Sequence, residues 1–430
     1  MKTLDINVHH ITRVEGHGNV VVNVKDGKIE HLQLQIVESP RFFEVMLEGR
    51  HFTEACHITS RICGICALGH TTASLRASEA ALGITPPEQV QLLRRILLNA
   101  EMLQSHVLHA YFLAAPDFFN AGSVIPLAES HPDVVKRALR MKQMGNEICE
   151  ILVGRHVHPI AMAVNGFTRW PKASELKRVA GMLEDARPDI EATLGLFAKL
   201  QIPPFTRETE YVGLRNPDHY ATYDGNIVSS KGADLAPADY KQLIKESVVG
   251  HSTAKHVAGT DSSIMVGALA RFNLNATQMH PNAQAAAEEL GLNAPCINPY
   301  MITVAQVVEC VHYLEESLEL LEALQEMEDP GPPNIYTVQA GQGVGAVEVP
   351  RGILFHEYDI DKDGYIRAAN CIIPTGQNLA NIEQDMYALV PTMLEDSTDA
   401  DITKHLEMLV RAYDPCISCS AHFLDVQYVR

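Results

Sequence analysis

The 430-residue chain is long enough for one large domain or two or three ordinary ones, with apolar content sufficient for a sizeable core. A formal net charge of −19 argues against nucleic acid and against an anionic membrane surface as partners. No apolar run reaches the ~18 residues of a transmembrane segment, no signal peptide opens the chain, and nine cysteines do not suggest a disulfide scaffold, so a reducing cytoplasm is the expected setting.

In chain order, two partly alternating apolar segments, 19–24 and 29–37, are joined by Lys25-Asp26-Gly27-Lys28, a hairpin signature. Helical spacing follows over 67–81, 88–113, 132–154, 173–199, 282–290 and 302–327. Residues 229–239 read as a loop. The segment 331–375 turns strand-like, punctuated by Gly341, Gly343 and Gly345, and helical periodicity returns over 378–389 and 399–413. The expectation is a mainly α fold with small accessory β-sheets (α+β) around a central helix bundle. We read it as one domain over 1–430: a hairpin region 1–40, a helical core 50–330, a β-rich region 331–375, C-terminal helices with a metal motif 376–422, and a short tail 423–430.

Two cysteine pairs stand at opposite ends of the chain: Arg61-Ile-Cys63-Gly-Ile-Cys66 with His70, and Asp414-Pro-Cys416-Ile-Ser-Cys419 with His422. Each spacing lets a short turn present two sulfurs to one point, and four thiolates make a soft set suited to zinc, nickel or iron–sulfur chemistry. One such pair alone is a weak signal; two with the same local grammar are a strong one. On spacing alone, a structural zinc site tying the termini together is as good a reading as a catalytic one. Cys56, Cys149, Cys296, Cys310 and Cys371 lack pair spacing, and most read as buried free thiols.

Further landmarks lie in order with the pairs: Arg13-Val-Glu15-Gly-His17, Glu348-Val-Pro350-Arg351-Gly352 and Pro374-Thr375. Each alone is unremarkable, Arg13 and Glu15 being a possible ion pair and Pro350-Arg351-Gly352 an ordinary turn. Together, from residue 13 to 422, they resemble the large subunit of nickel–iron hydrogenases, most closely the cytoplasmic multisubunit branch coupled to nicotinamide, deazaflavin or heterodisulfide-reducing partners.

That resemblance implies H2 as substrate and a nickel–iron centre. Cys63 and Cys416 would be terminal nickel ligands, with Cys66 and Cys419 bridging to an iron that carries CO and two cyanides. Cys416 would take the proton from H2, Glu15 would relay it, and Arg351 would overhang the open site, its pKa above ~12 favouring an orienting role. Asp414 would hold Arg351 by a bidentate pair. His70 would donate to a bridging sulfur, with His17 in a similar place; Pro350 would lie beside Arg351. Thr375 and the backbone near Pro374 resemble the patch facing a cyanide. Glu44, the carbonyl of Cys371 and His422 would bind a second metal, Mg2+ or Fe2+. The cysteine pairs being consumed, an iron–sulfur small subunit is implied for electron exit, with further flavin or iron–sulfur subunits beyond it.

Two departures from the family pattern matter. Where many membrane-bound and periplasmic relatives have an aspartate, the helix here carries Ser105, and only eight residues follow His422, a shorter extension than usual. Two other motifs are set aside. Asp359 to Asn370 copies the first half of a calcium loop but lacks the closing glutamate, so a turn between strands is expected. The glycines at 341, 343 and 345 lack the strand–turn–helix setting of a nucleotide loop. Two other functions compete: an electron-transfer relative that has lost its metals, which the four retained cysteines oppose, and a zinc scaffold, which leaves Glu15, Arg351 and Glu44 unexplained.

Overall fold

The computed structural model describes residues 3–260, 262–333 and 335–421. Strands Leu4–Val8, Gly18–Lys25 and Lys28–Ile36 form an antiparallel sheet in that order. Its hairpin turn needs positive φ at both central residues, and Asp26 (49°) and Gly27 (80°) supply it. Val20, Val22 and Val24 point inward with Leu32, Leu34 and Ile36, so the alternation reads as a one-sided sheet.

The bundle is built from helices Glu88–Val107, Pro132–Val153, Ala173–Phe197 and Ile302–Gln325. Residues 302–317 are buried on every side, which places that helix at the centre. The helix starting at Glu88 was expected to run to 113; it passes after Val107 into a π-helical stretch, Leu108–Ala114, a widening of the turn that tends to mark functional regions. The bundle and the small sheets make the fold the α+β class expected.

The middle of the chain is less helical than the expected core 50–330. Strands Glu210–Arg215, Asn226–Ser229, Asp234–Leu235 and Ile264–Met265 form a four-stranded sheet. Residues 229–239, read as a loop, thus contain a sheet edge. These strands carry a separate apolar cluster that includes Val212, Leu214, Ile227, Tyr240 and Val257, capped by Ile353 and Phe355.

A third antiparallel sheet, Gly341–Val349, Gly352–Ile360 and Ile366–Ile372, lies against helix Ala67–Leu82. Its glycines now have a cause. A Cβ at Gly341, Gly343 or Gly345 would stand 2.1–2.2 Å from Ala81 O, Ala81 N or Ala73 O, so strand and helix backbones touch where a side chain would be. The calcium-loop lookalike is a turn between the second and third strands: the Asp361 carboxylate accepts from Asp363 N and Tyr365 N, both at 2.9 Å.

Candidate metal centre

Cys63 follows the turn Ser60–Ile62 in extended conformation, and Cys66 caps helix Ala67–Leu82. Backbone N–H groups of Ile65 and Cys66 point at the Cys63 sulfur at 3.3 and 3.4 Å, an arrangement that favours a thiolate. From the other end, helix Asp399–Ala412 stops, Asp414 takes a positive φ of 50°, and Pro415 turns Cys416 towards Cys63. The two sulfurs stand 3.6 Å apart. The ligand atoms of Cys63, Cys66 and Cys419 lie within 4.8 Å of one another, as do those of Glu15, Cys416 and Cys419. All four cysteines are buried. The other thiols hydrogen-bond to Cys63 and hold its pKa well below the ordinary thiol range, whereas burial lifts Cys419. A soft cation suits such a crowded sulfur set, and the donors fit nickel or iron as well as zinc.

Glu15 is built into the same corner. Ile417 N donates to Glu15 O at 2.9 Å, and Glu15 pairs with Cys416 as a parallel bridge. The Glu15 carboxylate accepts from Ser418 N at 3.0 Å and lies 3.2 Å from the Cys416 sulfur. Gly16 makes this approach possible: at φ 85°, a Cβ there would sit 2.8 Å from that of Ile417. The same turn overturns the expectation for His17. Its side chain is 64% exposed and pairs with Glu38 at 2.6 Å, because the chain reverses at Gly16 and sends the next side chain to the surface.

Arg351 is 4% exposed. Its Nε donates to the Asp414 carbonyl at 2.6 Å and Nη2 to Asp414 Oδ1 at 2.8 Å. The pair is therefore not the bidentate carboxylate fork expected. Gln306 Nε2 donates to the other carboxylate oxygen at 3.2 Å, so Arg351 takes the backbone carbonyl instead. Nη1 lies 3.5 Å from Ser105 Oγ. Burial opposes the guanidinium charge, but Asp414 and the neighbouring cysteines outweigh it and hold the pKa well above its ordinary value.

The remaining expected residues are distributed as follows. Thr375 Oγ1 accepts from Cys416 N at 2.9 Å, and Pro350 O accepts from Arg271 Nη2 at 3.3 Å. His70 is buried, with Nδ1 3.1 Å from His356 Nε2; His356 continues to the Tyr358 hydroxyl at 2.9 Å. Glu44 Oε1 accepts from Cys371 N at 2.9 Å, and Ala421 O accepts from Arg41 N at 3.1 Å. His422 and the tail 423–430 lie outside the described residues. Of the cysteines outside the two C-x-x-C motifs, Cys56, Cys149, Cys310 and Cys371 are buried and Cys296 half-buried; burial pushes Cys56 up to about 12, the behaviour of an inert thiol.

Three groups escaped the sequence reading. Arg271, fully buried, donates to Glu309 and Glu348 and to the carbonyls of Val349 and Pro350, fixing the turn that carries Arg351. Glu101, buried, accepts from Leu68 N at 2.7 Å and Gly69 N at 3.0 Å, capping the helix that begins after Cys66. His356 backs His70. Their only signal was a charged or polar residue inside an apolar run, a pattern that any buried ion pair or helix cap also produces.

Known proteins resemble the chain in sequence and fold. The family model for nickel-dependent hydrogenases matches residues 41–133 and 234–422. The alpha chain of sulfhydrogenase 1 from Pyrococcus furiosus is 34% identical over 97% of this chain and 98% of its own. One chain of the vhc F420-non-reducing hydrogenase from Methanococcus voltae is 30% identical over 97% and 94%. The crystal structure of an NAD+-reducing [NiFe]-hydrogenase in the H2-reduced state superposes with a TM-score of 0.88 at 28% identity, covering 97% of this chain and 99% of that one. With its cysteines gathered from both ends of the chain and its length matched throughout, the protein belongs to the nickel-dependent hydrogenase family, as a catalytic large subunit.

Proposed function

We infer that Cys63, Cys66, Cys416 and Cys419 hold the nickel–iron centre at which this hydrogenase subunit converts H2 to protons and electrons, Cys63 and Cys416 as terminal nickel ligands and Cys66 and Cys419 as bridges to iron. The observation that carries this reading is the meeting of the two cysteine pairs beside Glu15 and Arg351 in one buried corner. When bound, the metals supply an open coordination position for heterolysis of H2.

The chain's own residues do the rest. The Cys416 sulfur accepts the proton and Glu15, 3.2 Å away, takes it on. The Ser418 N–H steadies the Glu15 carboxylate so that the same oxygen faces the sulfur. Arg351 stays charged, orients the open side of the pocket and is itself aimed by Asp414. Thr375, with the backbone at Pro374 and the Pro350–Arg351 turn, would line the diatomic ligands, CO and two cyanides on iron. His70, with Nδ1 engaged by His356, would offer Nε2 to a bridging sulfur. Glu44, the Cys371 carbonyl and His422 would hold the second metal, Mg2+ or Fe2+; the contact of Glu44 with the Cys371 backbone and of Ala421 with Arg41 supports it.

Among the described residues, the five remaining cysteines are scattered singly, without iron–sulfur spacing. Electrons therefore leave through an iron–sulfur small subunit, with further flavin or iron–sulfur subunits beyond it. The relatives' names, an NAD-reducing enzyme among them, support such an assembly, and we propose a cytoplasmic location and a single large-subunit domain for this chain. No helix among the described residues is long and apolar enough to cross a membrane.

Metal analysis of the purified complex together with infrared spectroscopy tests the reading. Nickel and iron with both carbonyl and cyanide stretches are expected. Stoichiometric zinc without those bands, even after co-expression with maturation proteins, would overturn it.

A further inference from the structure

A second group of metal-type ligands converges away from the cysteines. Strands Lys245–Ser247 and His256–Ala258 form a two-stranded ladder; His251 lies in the loop between them, and Glu383 projects from helix Pro374–Met393. Ligand atoms of His251, His256 and Glu383 all lie within 4.8 Å of one another. His251 Nε2 is 2.9 Å from Glu383 Oε1, and Leu34 N donates to that same oxygen at 2.9 Å, so the carboxylate is fixed from two sides. The imidazoles of His251 and His256 meet edge to face, centroids 5.5 Å apart.

His256 is the unusual member. It is 6% exposed, and its Nε2 is buried without a hydrogen-bond partner. A buried nitrogen left unsatisfied is costly, and a cation bound at it would remove that cost. Burial also drives its pKa down to about 4, leaving a neutral imidazole with a lone pair to donate. The side chains of His251 and Glu383 retain 20% and 15% exposure, so the group opens to solvent on one side while His256 closes it on the other.

We propose that His251, His256 and Glu383 bind one borderline divalent transition ion, of which Zn2+ is the representative, with water completing the shell. Two imidazoles and one carboxylate match zinc and poorly suit magnesium or calcium, which prefer oxygen alone. Tetrahedral bonds of about 2.0–2.2 Å place ligand atoms roughly 3.3–3.5 Å apart. The observed separations, from 2.9 Å to at most 4.8 Å, bracket that spacing. Binding requires His251 to give up its hydrogen bond to Glu383, with its ring proton on Nδ1. The ion would tie the loop 248–255 to the helix whose first turn carries Thr375. The site shares no ligand with the nickel–iron reading and stands without it.

The test uses the intact complex with nickel and iron in place, so that the cysteines are already occupied. Wild type, His256→Gln and Glu383→Gln are equilibrated with Zn2+, freed of loose metal by gel filtration and analysed for zinc. Wild type should retain about one zinc more than either variant, and X-ray absorption should show nitrogen and oxygen neighbours with imidazole scattering. Equal zinc in all three, or sulfur ligation of the extra ion, would overturn the proposal. Should His256→Gln fail to fold, Glu383→Gln decides alone, since its amide oxygen still accepts from Leu34 N.

Discussion

The Glu15 carboxylate lies 3.2 Å from the Cys416 sulfur, and the main chains of the same two residues are bridged by Ile417 N donating to Glu15 O at 2.9 Å. The backbone pairing sets the two residues side by side, and Ser418 N, donating to the Glu15 carboxylate at 3.0 Å, holds its rotamer towards the sulfur. A proton on the sulfur then has the Glu15 carboxylate within reach.

Glu15→Gln keeps the shape and the Ser418 contact but cannot carry the proton. H/D exchange catalysed by the complex should fall by about a hundredfold or more, while nickel and iron remain bound. Mass spectrometry of the exchanged gas, with metal analysis of the same sample, checks both halves. Unchanged exchange would move the relay to another residue.

Arg351→Lys tests what the guanidinium contributes beyond charge. Lysine keeps the cation but cannot reach the Asp414 carbonyl, its carboxylate and Ser105 at once. Losing one of the two charge-assisted bonds, at about 1.5–3 kcal/mol, should lower turnover roughly tenfold to a hundredfold with metal content intact. A variant as active as wild type would make Arg351 a bystander.

How much of this was readable from the chain depended on whether chemistry or packing set the residue. The cysteine pairs, Glu15 and Arg351 were legible because their types and order carry the information. His17 was misplaced for a conformational reason: it is two residues from Glu15, but a positive φ at Gly16 separates their directions, and φ is not written in residue type. The strands at 210–265 were missed because they are short and complete their ladder over long range, Ile264 pairing in parallel with Glu210. Arg271 and Glu309 each sit in apolar helices, and only the tertiary fold brings them to 2.6 Å. Of the residues expected at a second metal, Glu44 meets the Cys371 backbone, and His422 lies outside the described residues.

Gly343→Ala measures the contact between strand 341–349 and helix 67–82. The new Cβ would fall 2.2 Å from Ala81 N and 2.3 Å from Ala77 O, backbone atoms that cannot rotate away. Helix and strand must separate, at a cost of about 2–3 kcal/mol, and the thermal midpoint of the metal-free protein should fall by several degrees. Because that helix begins directly after Cys66, nickel retention during maturation should fall as well. A midpoint equal to wild type would mean that the two backbones do not touch at this glycine.

Glu101 gives the pH prediction. Burial raises its pKa to about 8, from 4.5 in the open chain. Between those values the folded, metal-free protein holds a proton that the unfolded chain has released. The unfolded state thus binds fewer protons, and stability falls as pH rises from about 4.5 to about 8, by at most about 1.4 kcal/mol per pH unit from this group. Glu101→Gln removes the titration while its amide oxygen can still accept from Leu68 N or Gly69 N. Denaturant unfolding of the apoprotein over that range should show a descending slope in wild type and a flatter one in the variant. Equal slopes would mean that the Glu101 carboxyl is ionised throughout, held by the two N–H groups at the start of helix 67–82 more strongly than burial opposes it.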